Sequence, residues 1–138
     1  MNLSKDVKIT MVKDAAVSAG TALNSDSVDM AGFEGVMFIG QIDTANAANF
    51  ANVAQSSDDS SFADLTGTKV VPGDNDDSFL IDVYKPGDRY VRCEVDRGGA
   101  NTAIGPIYAI QYGAAVKPTS HGATIDAETH ISPAEGTA

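Results

Sequence analysis

The feature that most constrains this fold is the side-chain alternation along Ser78–Gly113, SFLIDVYKPGDRYVRCEVDRGGANTAIGPIYAIQYG. Phe79, Ile81 and Val83 share one face of the first part, and Leu80, Asp82 and Tyr84 share the other. Further on, Val91, Cys93 and Val95 alternate with Tyr90, Arg92, Glu94 and Asp96. A repeat of two sends successive side chains to opposite faces of a strand, and no helix can place them so. The pattern predicts three consecutive strands, Phe79–Tyr84, Arg89–Asp96 and Ile104–Tyr112. Turn signals at Lys85-Pro86-Gly87-Asp88 and Arg97-Gly98-Gly99-Ala100-Asn101 separate them, the first two strands reading as a hairpin.

The rest of the chain repeats this grammar in shorter pieces. Val7–Val12 alternates as a first strand, and Ser27–Met30 reads as a short one. Phe33–Asp43 is the most hydrophobic stretch, with Val36, Phe38 and Ile42 on one face and Met37, Ile39 and Gln41 on the other. A strand apolar on both faces is expected at the centre of a sheet. Gly35 and Gly40 within it predict a bulge or a close backbone approach. Phe50–Gln55 and Thr68–Val71 are further strands, with Phe62 and Leu65 tucked back as anchors of the acidic loop between them. Lys13–Ala22 reads as a connection holding at most one short turn, because Gly20 and the Ser/Thr content oppose the helix that its alanines favour. Seven to eight short strands with frequent turns and no convincing helix define an all-β chain, a single β-sandwich or barrel over residues 1–116. Residues 117–138 have neither periodicity and read as an extended C-terminal arm, with Ile125 and Ile131 as its candidate docking points.

Charge narrows the function classes. The 138 residues carry a formal net charge of −10, which repels nucleic-acid backbones and anionic membrane surfaces alike. The charge is uneven: residues 51–77 hold one basic and six acidic residues, whereas residues 78–97 hold four of each. The apolar content of 43% supports one domain with a core, but aromatic residues are only 7% and Trp is absent, so the core is built from small side chains. The N-terminus, MNLSKDVKITMV, does not read as a signal peptide, and no apolar run approaches the ~18 residues of a membrane span.

No constellation of chemical residues survives its structural alternative. Cys93 is the one cysteine and lies in the apolar phase of its strand, so it is expected buried and inert. Asp74-Asn75-Asp76-Asp77 resembles the start of a calcium loop, but Phe79 and Lys85 stand where an EF-hand needs glycine and a bidentate glutamate. It reads as an acidic turn, and Asp58-Asp59 reads as a solvated loop tip. His121 and His130 stand nine residues apart in the arm, outside the usual spacing of metal ligands on one segment. Arg89, Arg92 and Arg97 accompany Asp88, Glu94 and Asp96, which predicts ion pairs rather than an anion site. We therefore expect no catalytic residue, no cofactor-binding residue and no metal ligand, and a protein that is not an enzyme.

Four stretches carry a resemblance to a known family. They are Phe33–Asp43; Ala54–Thr68; Asp82–Pro118, most specific over Tyr84–Gly113 with its Y-x-P-x-x-R-Y-V-R-C and A-I-Q-Y-G; and Glu128–Ala138, most specific in the closing ISPAEGTA. In these stretches the chain resembles the head decoration, or capsid cement, proteins of tailed bacteriophages. The resemblance implies a non-enzymatic virion protein on the outer surface of an icosahedral capsid, whose partners are the major capsid protein and itself, as a homotrimer. It implies stabilisation of the head by bridging neighbouring capsid subunits, and it carries over no site residue. Head–tail connector or tail proteins and glycan-binding β-sandwiches are the alternatives that an all-β chain leaves open.

Overall fold

A computed structural model of the chain describes residues 2–137. Among them the one helical segment is a 3₁₀ turn, Leu3–Lys5; everything else regular is strand. A four-stranded antiparallel sheet is ordered β1 (Lys8–Lys13), β11 (Ile107–Tyr112), β5 (Gly35–Gln41), β8 (Ser78–Tyr84). A five-stranded sheet is ordered β3 (Leu23–Asn24), β9 (Tyr90–Arg97), β6 (Asn49–Ser56), β7 (Ala63–Asp64), with β4 (Val28–Asp29) also on the β9 edge. A short ladder of β2 (Ala16–Ala19) and β10 (Thr102–Ile104) stands apart from both.

The two large sheets face each other as a β-sandwich, as the alternation implies. Val36 and Phe38 from β5, Ile81 from β8 and Ala109 from β11 meet Val53 from β6 and Val91, Cys93 and Val95 from β9 in one buried cluster. Each fully buried valine, isoleucine or phenylalanine adds roughly 1.5–3 kcal/mol, so this layer holds the sheets together. Leu65 packs against the same cluster and Phe62 lies under the Arg92 guanidinium, the two anchors expected of the acidic loop.

Partner choice departs from the local reading. Phe79–Tyr84 and Tyr90–Arg97 are strands, but they are not a hairpin: β8 pairs with β5 and β9 pairs with β6, in different sheets. The Lys85–Asp88 turn carries the chain across the sandwich, with Lys85 at φ 51°. Alternation specifies which residues face the core, and that condition is met equally by pairing with a distant strand. The third expected strand is split, because Pro106 has no N–H for a ladder and ends β10 before β11 begins.

Other differences are smaller. Ala16–Ala19 is a strand rather than a connection, held by its ladder to β10 and not by its own propensity. Thr68–Val71 contributes only a single bridge, Val70 to Ala51. With β2, the split of β10 from β11, and the two-residue strands β3 and β7, which are too short to show a period, the expected seven or eight strands become eleven. Gly35 and Gly40 mark close approach and not a bulge, since β5 runs in unbroken register with β8. A Cβ on Gly35 would lie 2.2 Å from Tyr112 Cζ, and one on Gly40 2.5 Å from Phe79 Cζ.

Candidate functional site

The residues with chemical potential are dispersed, each with its own structural partner. Cys93 is fully buried on β9, and burial, with Glu94 adding to it, pushes its thiol up to about 12. A thiol so protonated is neither nucleophile nor ligand. Arg89 makes a two-pronged bond to Asp29, Nε to Oδ1 at 2.8 Å and Nη2 to Oδ2 at 2.7 Å. That guanidinium, helped by the Ala31 amide, holds the Asp29 carboxyl down at about 2. Arg92 bonds Glu94 at 2.6 Å while stacking on Phe62. Arg92 thus pairs within the expected set, though along one strand, whereas Arg89 pairs outside it, with Asp29.

Arg97 makes no ion pair among the described residues. It continues the inward phase of Val91, Cys93 and Val95 and is 2% exposed. Its Nε donates to Thr21 O at 2.8 Å, its Nη1 to Val17 O and Thr102 O at 2.9 Å, and its Nη2 to Thr21 Oγ1 at 3.2 Å. The guanidinium is a clasp that fastens the β2–β3 connection to the end of the sandwich. Asn49, also buried, does the same for the Gly98–Asn101 turn. It donates to Thr44 O and Ala100 O and accepts from the Gly99 and Ala100 amides.

The acidic loops are internally bonded turns. Asp58 accepts from the amides of Ser61 and Ser60 and from Ser56 Oγ, and these bonds hold its carboxyl down at about 2. Asp77 Oδ2 caps the Asp74 amide, and Asn75 Oδ1 accepts from Ala45. Among the described residues no three His, Cys, Asp or Glu side chains gather as a metal-binding group.

The arm is docked, and the N-terminal segment is what docks it. Lys117 pairs with Asp6 at 2.8 Å, the Thr119 amide donates to Lys5 O and the Thr119 hydroxyl to Val7 O. The Ile9 amide donates to His121 Nδ1 at 3.0 Å, and the Gly122 amide donates to Ile9 O at 2.8 Å. Residues 117–122 thus run beside Lys5–Ile9 in the same direction and cap the start of β1 at the edge of the four-stranded sheet. The chain then turns back, so that Thr129 meets Ser4 and His130 O accepts from Asn2. Ile125 is partly buried, but Ile131 is 92% exposed and docks on nothing within the chain. Polar backbone bonds, not the two isoleucines, hold the arm.

The two outer faces of the sandwich differ sharply. Outside the five-stranded sheet lie Asn24, Asn52, Asp64, Arg92 and Glu94, a polar surface. Outside the four-stranded sheet, ladder register aligns Met11, Tyr108, Ile39 and Leu80 in one row and Ile9, Ile110, Met37 and Asp82 in the next. Asp82 is the one acid in these rows, and it accepts the Tyr112 hydroxyl at 2.7 Å. Burial and that bond push the Tyr112 phenol up to about 12.

Comparison with known proteins gives fold neighbours. No protein-family model matches the sequence, and no curated protein matches it. The crystal structure of PBSX exported protein XepA matches 96% of this chain with a TM-score of 0.57 at 15% identity. The chain spans 45% of XepA's length. The crystal structure of SPBc2 prophage-derived protein YomS matches 77% of this chain and 93% of its own, with a TM-score of 0.50 at 11% identity. At these identities the likeness is one of fold.

Proposed function

We propose that this chain is a structural protein of a bacteriophage particle, a decoration protein that binds the outer surface of the icosahedral head. In this reading it is not an enzyme. It contacts the major capsid protein and other copies of itself, associates as a trimer, and stabilises the head by bridging neighbouring capsid subunits. The observation that carries the reading is the union of two likenesses. Tyr84–Gly113 and Ile131–Ala138 resemble decoration proteins, and the fold neighbours of nearly the whole chain are phage-derived proteins. The docked arm supports it, since its far end presents Ile131 and the following residues outward, free for a capsid groove.

A second reading follows from the name of one neighbour, an exported protein: a phage-encoded protein released outside the particle. Electron cryomicroscopy of purified particles separates the two. Density for this sandwich on the head surface, in hundreds of copies, is the expected result. Bare heads, with the chain recovered in the medium, reject decoration and favour release. Deleting residues 118–138 is expected to leave the sandwich folded while lowering its occupancy on heads.

A further inference from the structure

We propose that β8 is a self-association edge, where two copies of this chain pair antiparallel across a two-fold axis and join their four-stranded sheets into one. The proposal is independent of the capsid reading.

The backbone supplies the first observation. At the ends of the β5–β8 ladder, the Lys85 amide donates to Glu34 O and the Ile42 amide donates to Asp77 O. Hydrogen-bonded positions alternate along an antiparallel pair, so the odd-numbered residues of β8 bond to β5. The amides and carbonyls of Ser78, Leu80, Asp82 and Tyr84 therefore point away from the sheet. Among the described residues no backbone group pairs with them. The opposite edge, β1, is bonded by the arm at Ile9, whereas among the described residues β8 has no such partner along its length. Its exposed outer-face side chains are Ser78, Leu80 at 52%, Asp82 and Tyr84 at 59%. Proteins ordinarily blunt such an edge with charged side chains, proline or a bulge; of these β8 contains only Asp82, whose carboxylate is engaged by the Tyr112 hydroxyl.

Charge says what covers it. The turn leading into β8 carries Asp74, Asp76 and Asp77, and among the described residues no cation lies within ion-pair distance of them. The residue leaving β8 is Lys85, an exposed cation whose ammonium has no carboxylate partner among the described residues either. An antiparallel copy sets the acidic start of one β8 against the basic end of the other, twice, once on each side of the axis. With Leu80 on the axis, Ser78 faces Asp82 of the second copy, and Tyr84 and Lys85 at the end of one β8 approach the turn that carries Asp74 and Asp76 at the start of the other. That register also keeps the two Asp82 carboxylates apart. Beside Lys85 lies an open depression of about 530 Å³ lined by Phe33, Glu34, Pro86, Asp88 and Arg89, with room for the incoming turn. Glu34 and Asp88 offset its two cations, so the recess is neutral in a chain of net −10. A second copy is thus matched in hydrogen bonding and in charge.

Light scattering of the full chain across a dilution series tests this, with far-UV circular dichroism to check folding. The expected mass is that of two copies, or of six if three-fold association also occurs. Lys85→Glu is expected to raise the dissociation constant at this contact by about tenfold or more, because like charges then meet on both sides of the axis. Adding Asp74→Lys and Asp76→Lys to that variant restores the wild-type mass, which a merely misfolded Lys85→Glu chain would not do. Leu80→Lys, at an exposed axial position, separates the copies too. A monomer or a trimer at high concentration overturns the proposal. So does an even-numbered assembly whose dissociation is unmoved by Lys85→Glu and Leu80→Lys. A β8 edge covered on particles by a different protein, while the isolated chain stays monomeric, overturns it in favour of that partner. Heads without this chain reject decoration and leave the two-fold contact standing.

Discussion

Replacing Arg97 with alanine is the sharpest test of how the end of the sandwich is closed. The wild-type guanidinium makes four hydrogen bonds within 3.2 Å, three of them to backbone carbonyls. Bonds from a charged donor contribute about 1.5–3 kcal/mol each, but not all of that is lost. Val17 is 86% exposed and Thr21 is also exposed, so water takes over at those sites. Thr102 is fully buried, and its carbonyl loses its charged donor at a cost of about 1–3 kcal/mol. Loss of the packed side-chain stem adds about 1–2 kcal/mol, while relief of the buried charge subtracts a comparable amount. The net expectation is about 2 kcal/mol, since the acceptors left behind are neutral and no buried charge is stranded. With a urea slope of about 1.5–2 kcal/mol/M, the unfolding midpoint falls by about 1 M. Equilibrium unfolding followed by far-UV circular dichroism measures this directly. Arg97→Lys is expected to recover less than half of the loss, because one ammonium cannot serve acceptors spread around a planar fork. A midpoint shift below about 0.5 M for Arg97→Ala, or full recovery by lysine, would refute the clasp.

Gly40→Ala is expected to destabilise by about 1–3 kcal/mol, since its Cβ meets the Phe79 ring at 2.5 Å and Ile107 Cγ1 at 3.1 Å; thermal unfolding reads the loss. Asp29 should titrate near 2 by nuclear magnetic resonance and return toward its ordinary value of 3.8 in Arg89→Ala. Its carboxylate is held below the unfolded value, so the stability it adds is present above about pH 4 and is lost as pH falls through 2. That contribution is small, because the Asp29 side chain is 44% exposed and solvent screens the pair. Cys93 should be silent to thiol reagents in the native protein and react at once in denaturant, since burial keeps its thiol protonated up to about pH 12. Rapid labelling without denaturant would show that the core opens under native conditions.

The readings that needed only neighbouring residues were legible in the sequence. Val91, Cys93 and Val95 face the core because alternation leaves a strand no other way to bury them, and the inertness of Cys93 follows from the same phase. Phe38 and Ile81 could be assigned in the same way. Arg97 was partly legible: it continues that inward phase by two residues, but its charge and the glycines after it made it look like a turn. The strand at Ala16–Ala19 left no local trace, because alanine and serine do not favour β-structure and only the β10 ladder holds them there. Ile131 looked like an anchor because it is apolar, yet the arm is held by bonds between Lys117–Gly122 and Asp6–Ile9, which composition does not encode.

By itself the sequence determined an all-β chain, which side of each long strand faces the core, and the absence of any recognisable catalytic motif. Periodicity and residue chemistry are local properties, and those conclusions need nothing else. Only the tertiary structure decided that β8 and β9 lie in different sheets, that Arg97 is buried among carbonyls, and that the arm bonds β1 at Ile9 while β8 is left open. Each depends on which distant segments meet. That choice is made by burial and hydrogen-bond satisfaction summed over the whole chain, and no single stretch of it carries the answer.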